Sequence, residues 1–431
     1  MSTKPRPKPH TRHSRESGNP MSSTSEYGDA PLPDDWAIKP FSEIADYQTG
    51  RTPSRANPRY WSTHHAAQPW ASISDMKPHA LIIDTAERIS QDAVTETFRG
   101  RISKAGTLLM SFKLTIGRVA TLGIDACHNE AIISIYPKSQ VNQKYLEYFL
   151  AQVNYTDYQD RAVKGHTLNQ EKIDRIAITL PPKPEQQKIA AVLWKMQRAV
   201  AIQDRLIAAT HGLKQSAMQH IFTHGLRGKR LKDTAIGMTP QNWRVDRLVE
   251  LAHFQRGFDI TKNQQKTGTV PVISSGGIKS WHSEAKVAGP GVVIGRKGSI
   301  GTVRYTESDY WPHDTTLWST DFRGNFPLFV YYRLSVLDLA RLDSGAANPA
   351  LNRNFLHEEI VSWPGPDEQR DIAAALATID RKLAHHQKKR AALNDLFQTT
   401  LHQLMTAQIR VADLDIDTSE VTTPQPQGVA A

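Results

Sequence analysis

The sequence contains an internal repeat, which constrains the fold more than any other feature. Residues 180–193 (LPPKPEQQKIAAVL) and 363–376 (WPGPDEQRDIAAAL) are identical at seven of fourteen positions, at a constant offset of 183. A tandem duplication of this size predicts two similar globular units, each followed by a linking segment.

The two copies differ in length. Gly50 corresponds to Gly257 at an offset of 207, whereas residues 113–119 correspond to 297–303 at an offset of 184. The offsets of 207 and 184 give the first copy 23 additional residues between Gly50 and Lys113. Such an unequal insertion indicates that the loops of the two units have diverged.

Both linking segments are predicted to be long helices. Proline is tolerated in the first turn of a helix but disrupts the interior, so prolines mark the helix starts. They are Pro181, Pro182 and Pro184 in the first segment and Pro364 and Pro366 in the second. Apolar side chains then recur at intervals of three and four residues, which is typical of a coiled-coil seam. We expect helices over about 185–222 and 367–405, packed on each other, and antiparallel if the repeats are related by pseudo-twofold symmetry. Gly212 weakens the first helix and permits a bend.

The globular units are predicted to be α+β domains with a twisted, partly irregular sheet. Short β-rich runs alternate with Gly, Pro and Asn turns, at residues 107–112, 132–136, 270–274, 292–294 and 302–305. Helical patterns follow these runs at 143–153 and 327–339.

Composition and charge exclude several classes of protein. The single cysteine, Cys127, excludes an intramolecular disulfide framework and a zinc site built from several cysteines. The sequence lacks an apolar run of the ~18 residues that a membrane span requires and lacks a secretory signal, so we expect a cytoplasmic protein without a membrane partner. The 53 Lys and Arg against 43 Asp and Glu leave a formal charge of +10, a weak indication of a polyanionic partner.

The sequence shows no recognisable catalytic or metal motif. A GxxxxGK[ST] phosphate loop is absent, and the spacing of Gly295, Gly298 and Gly301 indicates a hairpin turn. His220 and His224 are four residues apart on a helix without an HExxH arrangement, so a solvated helix face is expected. Cys127 is interpreted as a buried core thiol.

Loops rich in basic, aromatic and amide side chains occur in both copies, at 50–61, 274–282 and 295–299. Arg and Lys bind phosphates, and Arg, Lys, Asn and Ser can bind base edges, although each loop on its own could be an ordinary polar loop. The candidate DNA-binding residues are Arg51, Thr52, Arg55, Arg59, Tyr60, Lys113, Arg118, Ser274, Ser275, Lys279, Trp281, Arg296, Lys297 and Arg304.

Several of these segments resemble the specificity subunit of type I restriction–modification systems. GRTPSRANPRYW followed by PWASISDMK resembles the start of a target recognition domain. GFDITKNQQ, VPVISSGGIKSWH and GPGVVIGRKGSIGTV resemble another variant of that domain, and the paired PEQQKIAAVL and DEQRDIAAAL segments resemble the spacer helices of the family. The resemblance covers about residues 31–410.

The resemblance implies a fold and a function. The fold is α+β, a tandem pseudo-twofold duplication in which two α/β target recognition domains are separated by two long antiparallel coiled-coil helices. Each domain binds one half of a bipartite, asymmetric site in double-stranded DNA, and the subunit itself is not an enzyme. Its partners are two methyltransferase subunits, which methylate adenine, and restriction (motor-nuclease) subunits, which cleave DNA. S-adenosylmethionine, ATP and Mg are expected on those partners, and no cofactor is expected in this chain.

The domain boundaries follow from the repeat and the resemblance. They are a disordered basic tail (1–30), target recognition domain 1 (31–180), a central spacer helix (181–226), target recognition domain 2 (227–363), a distal spacer helix (364–410) and a disordered tail (411–431). Three alternatives stay open: a coiled-coil scaffold that does not bind DNA, an enzyme with an unrecognised active site, and a specificity subunit whose methyltransferase lacks a nuclease partner.

Overall fold

The computed structural model describes residues 32–158, 167–226, 228, 230–343 and 349–421. The chain divides into two compact units, one formed by residues 1–200 with 392–431 and the other by residues 201–391. The predicted disordered tail 1–30 lies outside the described residues.

The first unit contains eleven described strands and four short helices. The strands are β1 (Ala37–Pro40), β2 (Ala45–Thr49), β3 (Trp61–Ser62), β4 (Gln68–Ala71), β5 (Leu81–Ile82), β6 (Glu87–Ile89), β7 (Leu108–Ser111), β8 (Val119–Leu122), β9 (Cys127–His128), β10 (Ile132–Pro137) and β11 (Ala177–Leu180). The helices are α1 (Phe41–Ile44), α2 (Gln91–Glu96), α3 (Gln143–Leu150) and α4 (Gln170–Asp174). Three sheets result, with the strand orders β2-β10-β7-β8-β5, β3-β6-β4-β9 and β1-β11.

A 42-residue helix, α5 (Lys183–His224), follows the first set of strands. Its start coincides with the prolines that the sequence singled out, since Pro184 occupies its first turn, where the missing N–H is not needed. The helix runs through His211 and Gly212 without interruption. The glycine therefore does not end the helix, although it lowers its intrinsic stability.

The second unit repeats this arrangement with fewer elements. Its strands are β12 (Leu231–Lys232), β13 (Thr239–Pro240), β14 (Arg244–Arg247), β15 (His253–Arg256), β16 (Val270–Ser274), β17 (Gly277–His282), β18 (Gly291–Gly295), β19 (Val303–Thr306), β20 (Trp311–Pro312), β21 (Thr316–Asp321) and β22 (Ile360–Trp363). Its helices are α6 (Pro327–Ser335), α7 (Arg353–Glu358) and the 40-residue α8 (Pro366–Met405), which ends in the first unit. Short 3₁₀ turns occur in both units, at Pro58–Tyr60, Ile73–Asp75, Tyr155–Tyr158, Leu248–Glu250, Lys262–Gln264, Leu339–Leu342 and Ser419–Val421.

Sheet topology confirms the duplication. The order β15-β21-β18-β19 in the second unit matches β2-β10-β7-β8 in the first. Strand β16 pairs with one antiparallel and one parallel neighbour, β17 and β20, as β4 does with β6 and β9. Each unit forms several small sheets, so the expectation of one irregular sheet is wrong.

The start of α5 and the end of α8 complete the core of the first unit, and the end of α5 and the start of α8 complete the core of the second. In the first unit Ile189 and Leu193 of α5 are buried in the same cluster as Leu401 and Leu404 of α8. In the second unit Ile221, near the end of α5, is buried in the same cluster as Ile372, near the start of α8. The helices therefore run antiparallel, as predicted.

The repeated Glu-Gln at the helix starts has a structural role. Gln186 accepts a hydrogen bond from the backbone N–H of Asn142 at 2.7 Å and donates to the carbonyl of Pro181 at 2.8 Å. Gln369 accepts from the N–H of Phe326 at 2.8 Å and donates to the carbonyl of Pro364 at 2.9 Å. Both glutamines are 1% exposed, so this part of the repeat fixes the packing of each long helix.

The predicted disordered tail is wrong for residues 411–421. Val411 is 4% exposed, and Ile416 and Val421 pack against the core of the first unit. Lys188 Nζ donates to the carbonyl of Ala412 at 2.6 Å. The apolar side chains of this segment are too irregularly spaced to give a helical or strand pattern, but Val411, Ile416 and Val421 attach it to the core of the first unit. Residues 422–431 lie outside the described part of the chain.

None of the helices in the described ranges combines the length and apolar character needed to cross a membrane.

Candidate nucleic-acid interface

Three turns of the second unit converge on one another. The turn between β16 and β17 is joined to the segment after β20 by the N–H of Ser275, which donates to Thr315 Oγ1 at 3.4 Å. Thr302 Oγ1, at the end of the β18–β19 turn, donates to the carbonyl of Ser275 at 3.0 Å. The N–H groups of Arg296 and Lys297 both donate to the carbonyl of Thr315, at 2.8 and 3.1 Å. We call residues 274–281, 296–304 and 313–315 the turn cluster.

A glycine brings two of these turns into close contact. Gly277 has a φ of +121°, and a Cβ placed on it would lie 3.3 Å from Arg304 Cζ. The absence of a side chain therefore lets the Arg304 guanidinium pack on the turn. Ser274 Oγ closes the same turn by donating to the carbonyl of Gly277 at 3.0 Å.

Strand β17 carries exposed side chains beside this turn. Trp281 is 54% exposed and Ile278 is 57% exposed. Lys279, also exposed, has its Nζ 3.4 Å from Nε2 of the buried His313. Burial and the charge of Lys279 lower the pKa of His313. The strand thus presents an indole and a cation to solvent above a neutral histidine.

The β18–β19 turn fixes the backbone of two basic residues. The carbonyl of Arg296 accepts from the N–H of Leu351 at 2.9 Å, in addition to the bond from its own N–H to Thr315. Lys297 is exposed. Within the described ranges, Nη1 of Arg296 and Nε of Arg304 are buried without a hydrogen-bond partner. These two guanidinium groups keep donor capacity that the protein itself does not use.

In the first unit, an arginine of the basic loop 50–61 is bound to a carboxylate. The Cζ atom of Arg55 lies 3.7 Å above the ring of Trp61, and both its Nη atoms bond to Glu87, with Nη2 at 3.0 Å from Oε2. The hydrogen bond from Arg55 lowers the pKa of Glu87. Arg55 is therefore fixed by a stack and a bidentate ion pair.

The next two candidates in that loop are also bound to acidic groups. Arg59 Nη2 lies 2.7 Å from Asp92 Oδ2, and the hydroxyl of Tyr60 donates to Glu96 Oε2 at 2.5 Å. Asp92 and Glu96 both lie on α2. Three residues predicted to contact DNA thus bind carboxylates of their own unit. Each pair is separated by more than thirty residues in sequence, so no local pattern predicted it.

The other candidates of the first unit lie on two turns. Arg51 is exposed and donates through Nη1 to the carbonyl of Thr97 at 3.0 Å, while Thr52 Oγ1 is buried and lacks a partner among the described residues. On the β7–β8 turn, Arg118 Nη1 donates to the carbonyl of Ile73 at 3.3 Å, and Lys113 Nζ lies 5.1 Å from the ring of Phe112.

Sequence analysis missed a close contact that both units share. A Cβ on Gly50 would lie 2.2 Å from the carbonyl oxygen of His128, and one on Gly257 would lie 2.2 Å from that of His313. Burial lowers the pKa of His128 to about 4. The sequence repeat matches the two glycines, but it did not reveal their histidine partners. His128 was overlooked because its neighbour Cys127 was interpreted as a buried core thiol.

A cleft of about 480 Å³ in the first unit borders this contact, lined by side chains that include Arg51, Arg101, Phe98, His128 and Tyr136. The residue equivalent to Arg51 in the second unit is Phe258, whose ring lies 6.0 Å from that of Trp318. The two units therefore differ in the chemistry at this position.

One group of side chains in the second unit has the chemistry of metal ligands. The ligand atoms of Asp259, His313 and Asp314 lie within 4.8 Å of one another. Arg256 Nη2 is 3.1 Å from Asp314 Oδ2, and Lys279 adjoins His313. These cations balance the carboxylates and oppose a metal ion, so we assign no metal to the group.

Comparison with known proteins identifies the class to which this fold and these turns belong. The family model for the type I restriction modification DNA specificity domain matches residues 33–209 and 240–395. Since the match covers more than half of the chain, the protein belongs to this family. Its two matched segments correspond to the two copies of the repeat.

Individual relatives agree with this assignment. The chain is 23% identical over 412 residues to a putative type I restriction enzyme MjaX specificity subunit from Methanocaldococcus jannaschii, which covers 88% of this chain and 95% of the relative. It is 32% identical over 167 residues to the MjaIX specificity subunit of the same organism, with 38% of each chain covered.

The fold is also similar to solved structures. An S subunit of a type I restriction–modification system from M. genitalium matches with a TM-score of 0.61 at 14% identity, covering 87% of this chain and 98% of that one. A chain from a structure that addresses complex assembly and conformational transition of the type I R-M system matches with a TM-score of 0.54 at 16% identity, covering 88% and 100%. At these identities the likeness concerns the fold.

Proposed function

We propose that this chain is the DNA sequence-recognition subunit of a type I restriction–modification complex. In this proposal each unit binds one half of a bipartite, asymmetric site, and partner subunits methylate adenine or cleave DNA. The observation that carries the proposal is the duplication of one sheet topology on two paired helices, with basic turns at corresponding places in a chain of the specificity family.

The turn cluster supplies the proposed contacts of the second unit. Exposed Lys279 and Lys297 are placed to bind phosphates, and Ser274 and Trp281 lie beside them with side chains that can contact bases. The predicted contact Ser275 is buried, so it supports the turn through its backbone. Arg296 and Arg304 are proposed to contact DNA through their remaining guanidinium nitrogens, because Nη1 of Arg296 and Nε of Arg304 are buried. In the first unit, the turn carrying Lys113 and Arg118 corresponds to the β18–β19 turn, and Arg51 and Thr52 lie on a separate loop that corresponds to residues 258–259.

Catalysis is assigned to the partners. Two methyltransferase subunits would bind S-adenosylmethionine, and restriction subunits would bind ATP and Mg, while this chain positions them on DNA. Cys127, the single cysteine, is buried, and burial raises the pKa of its thiol to about 12. Two weak recognition domains joined by a rigid connection also gain affinity through effective concentration.

The length of the paired helices is proposed to set the gap between half-sites. At 1.5 Å per residue, the 42 and 40 residues of α5 and α8 correspond to about 60 Å of helix. Seven residues inserted after Arg205 and after Lys388, next to the Gln203–His386 and Asp204–Arg390 contacts of the antiparallel pair, preserve the heptad register. They lengthen each helix by about 10 Å, or three base pairs at about 3.4 Å each.

The test is methylome sequencing of cells that express the complex with the wild-type or altered chain. Exchange of residues 241–362 for the corresponding segment of another family member is expected to change one half-site only. The seven-residue insertions are expected to keep both half-sites and widen the gap. Methylation that does not depend on this chain, or a change of both half-sites after the exchange, would overturn the proposal.

A further inference from the structure

We propose that the two units contribute unequally to binding the DNA backbone. The turn cluster of the second unit carries cations that neutralise phosphates, whereas Glu87 and Asp92 keep Arg55 and Arg59 of the first unit neutralised in the complex. This inference rests on the proposed function, since it concerns how the same surfaces bind DNA.

The neutralising groups lie on β6 and on an additional helix. Between β4 and β7 the first unit contains β5, β6 and α2, whereas the second unit contains only β17, the counterpart of β6, between β16 and β18. Glu87 lies on β6, and Asp92 and Glu96 lie on α2. The additional helix of the first unit therefore introduces two carboxylates next to a basic loop, and the strand that both units share carries the third.

The charge of the two corresponding segments differs accordingly. Residues 251–306 of the second unit contain eight Lys and Arg and two Asp and Glu. Residues 44–122 of the first unit, the matching segment, contain ten Lys and Arg and six Asp and Glu. The insertion adds more acidic than basic residues, so the first unit approaches DNA with a smaller excess of positive charge.

The ion pairs of Arg55 and Arg59 have a geometry that opposes replacement of their carboxylate partners by a DNA phosphate. Arg55 would have to leave both oxygens of Glu87 and the face of Trp61. Arg59 lies 2.7 Å from Asp92, and its pKa is raised by that hydrogen bond. By contrast, no described carboxylate forms an ion pair with Lys279, Arg296, Lys297 or Arg304.

Salt dependence separates the two kinds of cation. A basic group that newly neutralises a phosphate releases a counterion, which steepens the decrease of log affinity with log salt by about 0.9. A group that stays bound to its own carboxylate releases none. Arg55 and Arg59 are therefore expected to add nothing to the salt slope, whereas Lys279 and Lys297 of the turn cluster are expected to contribute to it.

The experiment measures binding of the full chain, in complex with its methyltransferase subunits, to duplex DNA carrying its site, between about 50 and 400 mM salt. Lys297→Ala is expected to reduce the slope by about 0.9. The charge-neutral double variant Arg59→Ala/Asp92→Ala is expected to leave the slope unchanged. Both of its residues are largely exposed, so folding is preserved.

Removing carboxylates alone should free the arginines. Glu87→Gln with Asp92→Asn is expected to steepen the slope by up to about 1.8 and to increase affinity at low salt. The controls are Lys138→Ala, which removes one positive charge as Lys297→Ala does, and Glu43→Gln with Asp46→Asn, which removes two carboxylates; all three residues lie near the end of β2 opposite Gly50, where Pro137 pairs with Ala45. They are expected to leave the slope unchanged.

Two results would overturn the inference, and they are distinguishable. A slope reduced by about 0.9 in Arg59→Ala/Asp92→Ala would show that Arg59 binds phosphate in the complex, and it would leave the proposed function intact. A wild-type complex without salt-dependent DNA binding would overturn the proposed function and this inference together.

Discussion

Arg410 binds Glu185 through two guanidinium nitrogens, each 2.7 Å from a carboxylate oxygen, although 225 residues separate the two in sequence. Glu185 is 2% exposed and also accepts from the indole N–H of Trp36 at 3.1 Å. Burial alone would raise the pKa of Glu185, but the hydrogen bonds from Arg410 and Trp36 outweigh it and lower the pKa. This contact joins the start of α5 to the segment after α8.

Loss of this contact should destabilise the first unit. Arg410→Ala leaves a buried carboxylate with fewer donors, and we expect the free energy of unfolding to fall by about 2–3 kcal/mol. Denaturant unfolding followed by tryptophan fluorescence measures the change. Arg198→Ala is the control, because its ion pair with Glu420 is exposed at both ends and should contribute less than about 0.5 kcal/mol. Equal losses in the two variants would contradict the prediction.

The segment after Arg410 should stabilise the first unit by itself. A chain that ends at Arg410 loses the buried Val411 and the contacts of Ile416 and Val421. We expect a loss of about 3 kcal/mol, close to the burial of one large and two partly covered aliphatic side chains. A chain that ends at Val421 retains these contacts and is the control. Unchanged thermal unfolding of the shorter chain would show that the segment does not stabilise the fold.

Replacing the glycine inside α5 with alanine should increase the free energy of unfolding. Gly212 lies inside the helix, and a Cβ placed on it meets nothing within 4 Å. Gly212→Ala is expected to stabilise the protein by about 0.5–1 kcal/mol, because alanine loses less conformational entropy. Gly225→Ala should have the opposite effect, since Gly225 has a φ of +74° and its Cβ would lie 3.3 Å from Glu368 Oε1. Calorimetry compares the two variants.

Acid should destabilise the first unit through His128. Its pKa is lowered by burial from 6.5 to about 4, so the unfolded chain binds a proton more tightly than the folded one. Stability is therefore complete above pH 6.5 and falls as the pH decreases towards 4, by about 2 kcal/mol at pH 5. In His128→Asn this component of the pH dependence should vanish, whereas the exposed His65→Gln should retain it. The free energy of unfolding, measured between pH 5 and 8, tests whether stability falls as the pH decreases.

Local chemistry made most of the fold predictable. Pro184 and Pro366 marked the helix starts, and the repeated Glu-Gln segments indicated equivalent packing before their contacts were known. Residues 411–421 were misjudged because Val411, Ile416 and Val421 follow neither a helical nor a strand period. Their burial depends on α5, which lies about 220 residues away in sequence.

The candidate interface was only partly predictable for a similar reason. Basic loops can be identified from composition, but whether a guanidinium is free depends on what folds against it. Arg55 and Arg59 meet Glu87 and Asp92 because β6 and α2 fold next to the loop, whereas Arg296 meets no such group in the described second unit. The glycine–histidine contact of each unit likewise arises from tertiary proximity.

The division of the chain also determines the order in which its parts can be completed during translation. The second unit is one continuous stretch, residues 201–391, whereas the first needs residues from both ends of the chain. Phe397, Leu401 and Val411 belong to the core of the first unit. The ribosome must therefore deliver almost the whole polypeptide before the N-terminal unit can close its core, and the later-synthesised second unit is the first that can finish folding.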